Sequence, residues 1–170
     1  VTVDYAASTL DFPTLEDFDA NALAAANICP ATGLATDYLN HFNEVAMLLD
    51  MLAMMPEASE DILAWRPFTY AEHFHATGYR DKELAIAAYE AAPQAIKERF
   101  HAACADAEMM VASAQELIET GSDPESFASP YAAIIFEQIG LISLIVNGGV
   151  EQGRDDDAND AQADIDALFD

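Results

Sequence analysis

Apolar residues along this chain return at steps of three and four far more often than at steps of two, which predicts helices and almost no strands. Residues 13–28 begin with Pro13 and carry Thr14 three residues before Asp17, an arrangement that opens a helix. Pro30 and Gly33 break it. Thr36 is placed to cap a second helix over residues 37–55. In that helix Leu39, Phe42, Val45 or Ala46, Leu49 and Leu52 make an apolar stripe. A short helix over residues 59–65 stops near Pro67. Thr69 with Glu72 then forms another capping box, opening a brief helix over 70–78. A further helix, over 81–92, is closed by Pro93.

A long helix follows over residues 94–120, up to Gly121. Its seam is Ile96, Phe100, Ala103, Ala107, Met110, Ala114 and Leu117, and the alanines would let a neighbouring helix approach closely. Asp123 and Pro124 read as a cap and first-turn pair. The last helix is expected over residues 131–147, stopped by Gly148 and Gly149. It is apolar nearly all round and is expected to be the most buried helix of the set. No internal repeat is present. The economical architecture is all-α: an antiparallel bundle of about four principal helices with extra short ones over residues 1–149. Residues 150–170 then form an acidic linker and a C-terminal amphipathic peptide.

Composition narrows the function. At 170 residues and 52% hydrophobic, the chain has enough material for one packed core. Thirty-one acidic residues against six basic ones give a net charge of -25, which argues against nucleic acid and against an anionic membrane surface as partners. No Lys or Arg precedes Arg66, and five of the six bases lie between Arg66 and Arg99. Arg80, Lys82, Lys97 and Arg99 either gather into an anion site or pair with Glu83, Glu90 and Glu98. Met47, Met51, Met54, Met55, Met109 and Met110 read as adaptable core filling.

Cys29 and Cys104 are too far apart to act as a ligand pair and are expected to be reduced and buried. The first residues show no charged segment followed by an apolar one. The longest apolar stretch, around residues 132–146, is interrupted by Glu137 and Gln138 and is too short for a membrane span. A cytoplasmic protein without a membrane helix is the expectation.

Candidate chemistry is sparse. Asp37, His41 and Glu44 lie at i, i+4 and i+7, share a helix face, and could offer ligands to one metal ion. His73 and His75 add two imidazoles, and Glu72 with His75 makes a Glu-x-x-His unit of the kind that di-iron bundles use twice. Here it occurs once, and the spacing of His73 and His75 points them in different directions. Capping and surface roles compete for all of these residues. Glu137 and Gln138 mark either a general base in an apolar helix or the edge where that helix reaches water. Asp155, Asp157, Asn159 and Asp166 mimic part of a calcium loop, but Asp160 stands where such a loop needs glycine. No cofactor motif is present and no cofactor is expected. An interaction protein is a better expectation than an enzyme.

The tail is the most informative stretch. Gly148 and Gly149 with the acidic run behind them read as a self-repelling linker. Beyond it Ile165, Leu168 and Phe169 fall on one face of a two-turn helix, with Asp164, Asp166 and Asp170 off that face. Such a peptide docks either on a partner or back onto its own bundle. The segment from Gln162 to Phe169 resembles the short peptide by which bacterial flagellar motor switch proteins bind the chemotaxis response regulator. Ala161 stands where that family usually has serine, and the family carries its peptide at the N-terminus.

A helical bundle, an acidic linker and a C-terminal peptide of this kind also resemble the layout of the chemotaxis phosphatase. That family sets an acid and a glutamine one helical turn apart, a spacing that the adjacent Glu137 and Gln138 lack. The resemblance therefore implies docking through Ile165, Asp166, Leu168 and Phe169, and it leaves catalysis open. The competing readings are a metal- or cofactor-binding bundle and an accessory subunit of a larger complex. Homo- or hetero-oligomers are compatible with each.

Overall fold

Asp123 opens the helix around which the rest is arranged. In the computed structural model, which describes residues 13–149, its carboxylate accepts from the Glu125 amide at 3.1 Å and Pro124 fills the first helical position. The helix runs Pro124–Val146, and the described residues contain seven α-helices in all: α1 (Ala20–Ala25), α2 (Asn40–Met51), α3 (Ala58–Ala64), α4 (Tyr70–Ala76), α5 (Lys82–Ala91), α6 (Gln94–Glu119) and α7 (Pro124–Val146). Two 3-10 turns, Leu15–Asp17 and Thr36–Leu39, complete the regular structure, and an isolated bridge pairs Ile28 with Ala35. The all-α class expected from the periodicity is the class observed.

α6 and α7 form a long helical hairpin. Gly121, in the left-handed region, closes α6 with paired bonds from its own amide to Ile118 and from Ser122 to Leu117. α7 lies antiparallel to α2 as well: Thr32, ahead of α2, donates to the Val146 carbonyl at 2.5 Å, and at the other end Ser129 meets Asp50. Phe42, Val45, Ala46 and Leu49 of α2 meet Ile135, Ile142 and Val146 of α7 in the core, with Phe100, Ala107, Val111 and Ala114 from α6. Alanines at 107, 114, 128 and 132 replace bulk where α6 and α7 approach. Each large apolar side chain buried here contributes roughly 1.5–3 kcal/mol of transfer free energy.

Several boundaries differ from the sequence reading. Thr14 and Asp17 do form a capping box, but it closes only a 3-10 turn, and the helix proper starts after Asp19. Thr36 sits inside a 3-10 turn rather than capping α2, which starts four residues later. α7 starts at Pro124, not at residue 131, and runs through Pro130, whose missing amide costs it one main-chain bond. At 23 residues α7 is long and apolar enough, by length and composition, to cross a membrane. Its inner face is nonetheless taken by α2 and α6.

The expectation that α7 is the most buried helix is corrected. Ile135, Ile139 and Ile142 are buried, but Ile134, Phe136, Leu141 and Leu144 face outward because nothing in the described chain covers that side. The methionines are corrected in part: Met47, Met54, Met55 and Met109 are exposed and do not fill the core, whereas Met110 packs against it.

Candidate functional site

The segment joining α3 to α4, residues 65–69, has few main-chain partners of its own, and side chains from three other elements supply them. Tyr38 donates to the Phe68 carbonyl at 2.7 Å, and His41 Nε2 donates to the Arg66 carbonyl at 2.7 Å. From α6, Gln115 Nε2 donates to the Ile62 carbonyl at 2.8 Å and the Trp65 carbonyl at 3.0 Å. Trp65 returns a bond from its indole to the His41 carbonyl at 3.1 Å. The bond to Arg66 fixes the proton on Nε2 of His41.

Around this latch the aromatic rings form a continuous cluster. The His41 ring lies between Trp65 and Phe68, with centroids 4.6 and 4.7 Å away and near-parallel planes. His73 stands 6.2 Å from His41 and edge-on to Tyr38. Burial pushes both imidazoles below their ordinary value; for His73 the neighbouring His41 adds to the effect, while the Asp37 main chain and carboxylate pull the other way. Glu44 and the Arg66 carbonyl oppose the shift at His41.

The five residues considered as metal ligands are not brought together. His41 and His73 are neighbours, and Asp37 lies beside His73. Glu44 and His75 are exposed, with His75 on the other side of α4 from the buried His73. The i, i+4, i+7 face assumed for Asp37, His41 and Glu44 fails because Asp37 lies in a 3-10 turn, whose tighter pitch rotates it off the face of α2. Glu72 is occupied as the capping-box partner of Thr69, accepting from its amide at 2.8 Å. Among the described residues, no group of three or more His, Cys, Asp or Glu side chains is placed to hold a metal ion.

Beside the cluster, between the start of α4 and the middle of α6, lies a cleft of about 450 Å³ lined by Tyr38, Phe68, Tyr89, His101, Cys104 and Glu108 among others. Tyr89 and His101 share a hydrogen bond of 2.5 Å at its rim. Burial pushes the Cys104 thiol up to about 12, with the Glu108 carboxylate adding to the effect, so the sulfur is not an ionised nucleophile. The Tyr38 and Tyr70 hydroxyls are also held neutral, chiefly by burial. Glu108 is raised by partial burial, with His101 opposing. These are aromatic and hydrogen-bonding surfaces without an activated group.

The remaining candidates resolve simply. Both cysteines are free; Cys104 is buried and Cys29 half-buried. Arg80 pairs with Asp81 at 3.3 Å rather than with Glu83, and Lys97 reaches the Glu90 carbonyl and lies near the Tyr89 ring. Glu137 is exposed, the helix-edge reading. Ile165, Asp166, Leu168 and Phe169, like the calcium-like run from Asp155, lie outside the described residues.

Trp65, Phe68 and Gln115, which build the latch, carried no motif and were not anticipated. The outward face of α7 had a signal, its all-round apolarity, but that signal reads equally as burial. No protein-family model, no curated protein and no solved structure matches the chain.

Proposed function

We propose that the chain is a helical interaction and regulatory protein of the cytoplasm that docks to a protein partner through its C-terminal peptide, the partner being a chemotaxis-type response regulator. The observation that carries this reading is the segment from Gln162 to Phe169, with Ile165, Leu168 and Phe169 on one helical face and Asp166 beside them. Its placement supports the reading: α7 ends in a glycine stop, with Gly148 in the left-handed region and Gly149 bonded back to Leu144, and the acidic run begins there.

The test compares the full chain with a chain lacking residues 160–170, titrated against the purified response regulator with and without its aspartyl phosphate. Binding by the full chain, lost on deletion while far-UV circular dichroism is unchanged, is the expected result. Undiminished binding after the deletion rejects the reading.

A further inference from the structure

We infer that one stripe of α6, from His101 to Glu119, forms with the α3–α4 connection beside it a groove that docks a basic amphipathic helix of a protein partner. Two clefts line up there. The cleft of about 450 Å³ beside the aromatic cluster and a second of about 470 Å³ share Pro67 and Glu108 in their walls, so they lie end to end. At about 100° per residue, His101, Ala105, Glu108, Ala112 and Glu119 fall within a sector of about 60°, a line along α6 that runs roughly 27 Å over five turns. The facing wall is the chain from Leu63 to Thr69, with Trp65 and Phe68, and Gln115 ties it to α6 through the carbonyls of Ile62 and Trp65. The groove is therefore formed before anything enters it.

The residue types along the groove select the occupant. Ala105 and Ala112 leave the α6 backbone open to close approach by another helix, and Met109 (55% exposed) and Phe68 (37% exposed) offer apolar contact on either side. Glu108, Glu116 and Glu119 stand along the same stripe, and among the described residues none of them has an ion-pair partner. Arg66 is the lining's one guanidinium or ammonium group, and it is turned onto the Leu63 and Trp65 carbonyls. Glu108 is half-buried where its charge is disfavoured, and a cationic side chain laid against it relieves that cost. A groove of this sign in a chain of net charge -25 repels a second copy. It also repels the chain's own tail, which carries eight acids against Arg154 from residue 151 onward. A helix whose apolar face is flanked by Lys or Arg satisfies both the floor and the acidic rim. The groove makes no use of the tail, so a failure of tail docking leaves it untouched.

The test titrates the full chain with a synthetic helical peptide of about eighteen residues, the length the groove spans, with leucine on one face and lysine on the other. Trp65 is the chain's one tryptophan and the peptide has none, so tryptophan emission reports the groove directly. Saturable one-to-one binding in about 0.15 M salt is expected, with a shift in Trp65 emission, and a peptide of the same composition in scrambled order should bind about tenfold more weakly. Ala112→Arg and Glu83→Gln change the net charge equally, one inside the groove and one outside it. Ala112→Arg should weaken binding by about tenfold at unchanged far-UV circular dichroism, and Glu83→Gln by less than about twofold. Absence of saturable binding overturns the inference. So does equal binding of the scrambled peptide, or an equal loss in the two variants, since either means attraction to bulk charge alone. Loss of binding on deleting residues 150–170 overturns it as well, by placing the peptide on the acidic tail.

Discussion

His41 and Trp65 hold each other by ring and by backbone: their rings stack at 4.6 Å, the Trp65 indole donates to the His41 carbonyl at 3.1 Å, and His41 in turn donates to the carbonyl of Arg66. The pair joins α2 to the α3–α4 connection. Because the bond to Arg66 uses the Nε2 proton, neutral His41 already satisfies it. Protonation adds a second proton, on Nδ1, and with it a positive charge on a buried ring whose centroid is 6.2 Å from that of His73.

Stability should therefore depend on pH between neutrality and the carboxylate range. His41 and His73 have folded values below their unfolded value of about 6.5, so the unfolded chain binds more protons there. Their contribution is present above that pH and is lost as pH falls through the depressed folded values. Asp37 and Glu44 moderate the loss. Tm should drop by a few degrees, on the order of 2–4 °C per kcal/mol for a chain this size, between pH 7 and 5.5. Replacing both residues by asparagine should flatten that slope, whatever it does to the absolute Tm. An unchanged slope in a calorimetric series would rule the two histidines out as its source.

Gln115 carries two carbonyls of the latch with one amide, at 2.8 and 3.0 Å. Gln115→Ala removes donors from partly buried acceptors, and about 1–3 kcal/mol should be lost. Urea unfolding should show a lower midpoint at constant slope. Opening is expected to concentrate at the α3–α4 connection, so hydrogen exchange should rise around Trp65 to Thr69 more than in α7.

The contrast between what the sequence conveyed and what it concealed follows from the range of each interaction. The Thr69–Glu72 capping box, the Asp123–Pro124 start and the glycine stops of α6 and α7 are local, and each could be read from a few residues. The latch could not, because Gln115 and Trp65 are fifty residues apart and neither type announces a partner. The seam of α6 was placed correctly as a face, but its centre runs through Cys104 and Val111 rather than Ala103 and Met110. A repeat of three and four defines a stripe some 100° wide without fixing its middle. The single face drawn through Asp37, His41 and Glu44 failed at Asp37, where a 3-10 turn breaks the α-helical count. α7 misled because apolarity on all sides reads as burial, whereas Ile134, Phe136, Leu141 and Leu144 are exposed on its outer side.

Glu108 sits partly buried against Cys104 and Tyr38, where its charge is disfavoured. A carboxylate with a raised folded value is a liability above that value and relaxes as it protonates. Glu108→Gln should therefore raise Tm at pH 7 modestly, by about 1–2 °C after allowance for solvent screening. The gain should vanish as pH falls through the raised value, where the wild-type side chain is itself neutral. A gain that persists at pH 4 would point to packing instead of charge.

Gly33 offers the sharpest test of the fold. It has φ +72, and a methyl group there would come within 2.5 Å of the Ala88 carbonyl oxygen and 2.8 Å of the Leu15 side chain. Gly121 has the same φ with nothing within 4 Å. Gly121→Ala should thus cost only the left-handed penalty of about 1–2 kcal/mol. Gly33→Ala adds a clash with main chain that cannot rotate away, so the turn over residues 28–35 must separate from α5. Its total cost should reach about 3–4 kcal/mol, in the range that follows from strain in a close-packed interior. Paired denaturant titrations read the difference directly: equal losses for the two variants would mean that the turn does not bear on α5 as closely as the geometry requires.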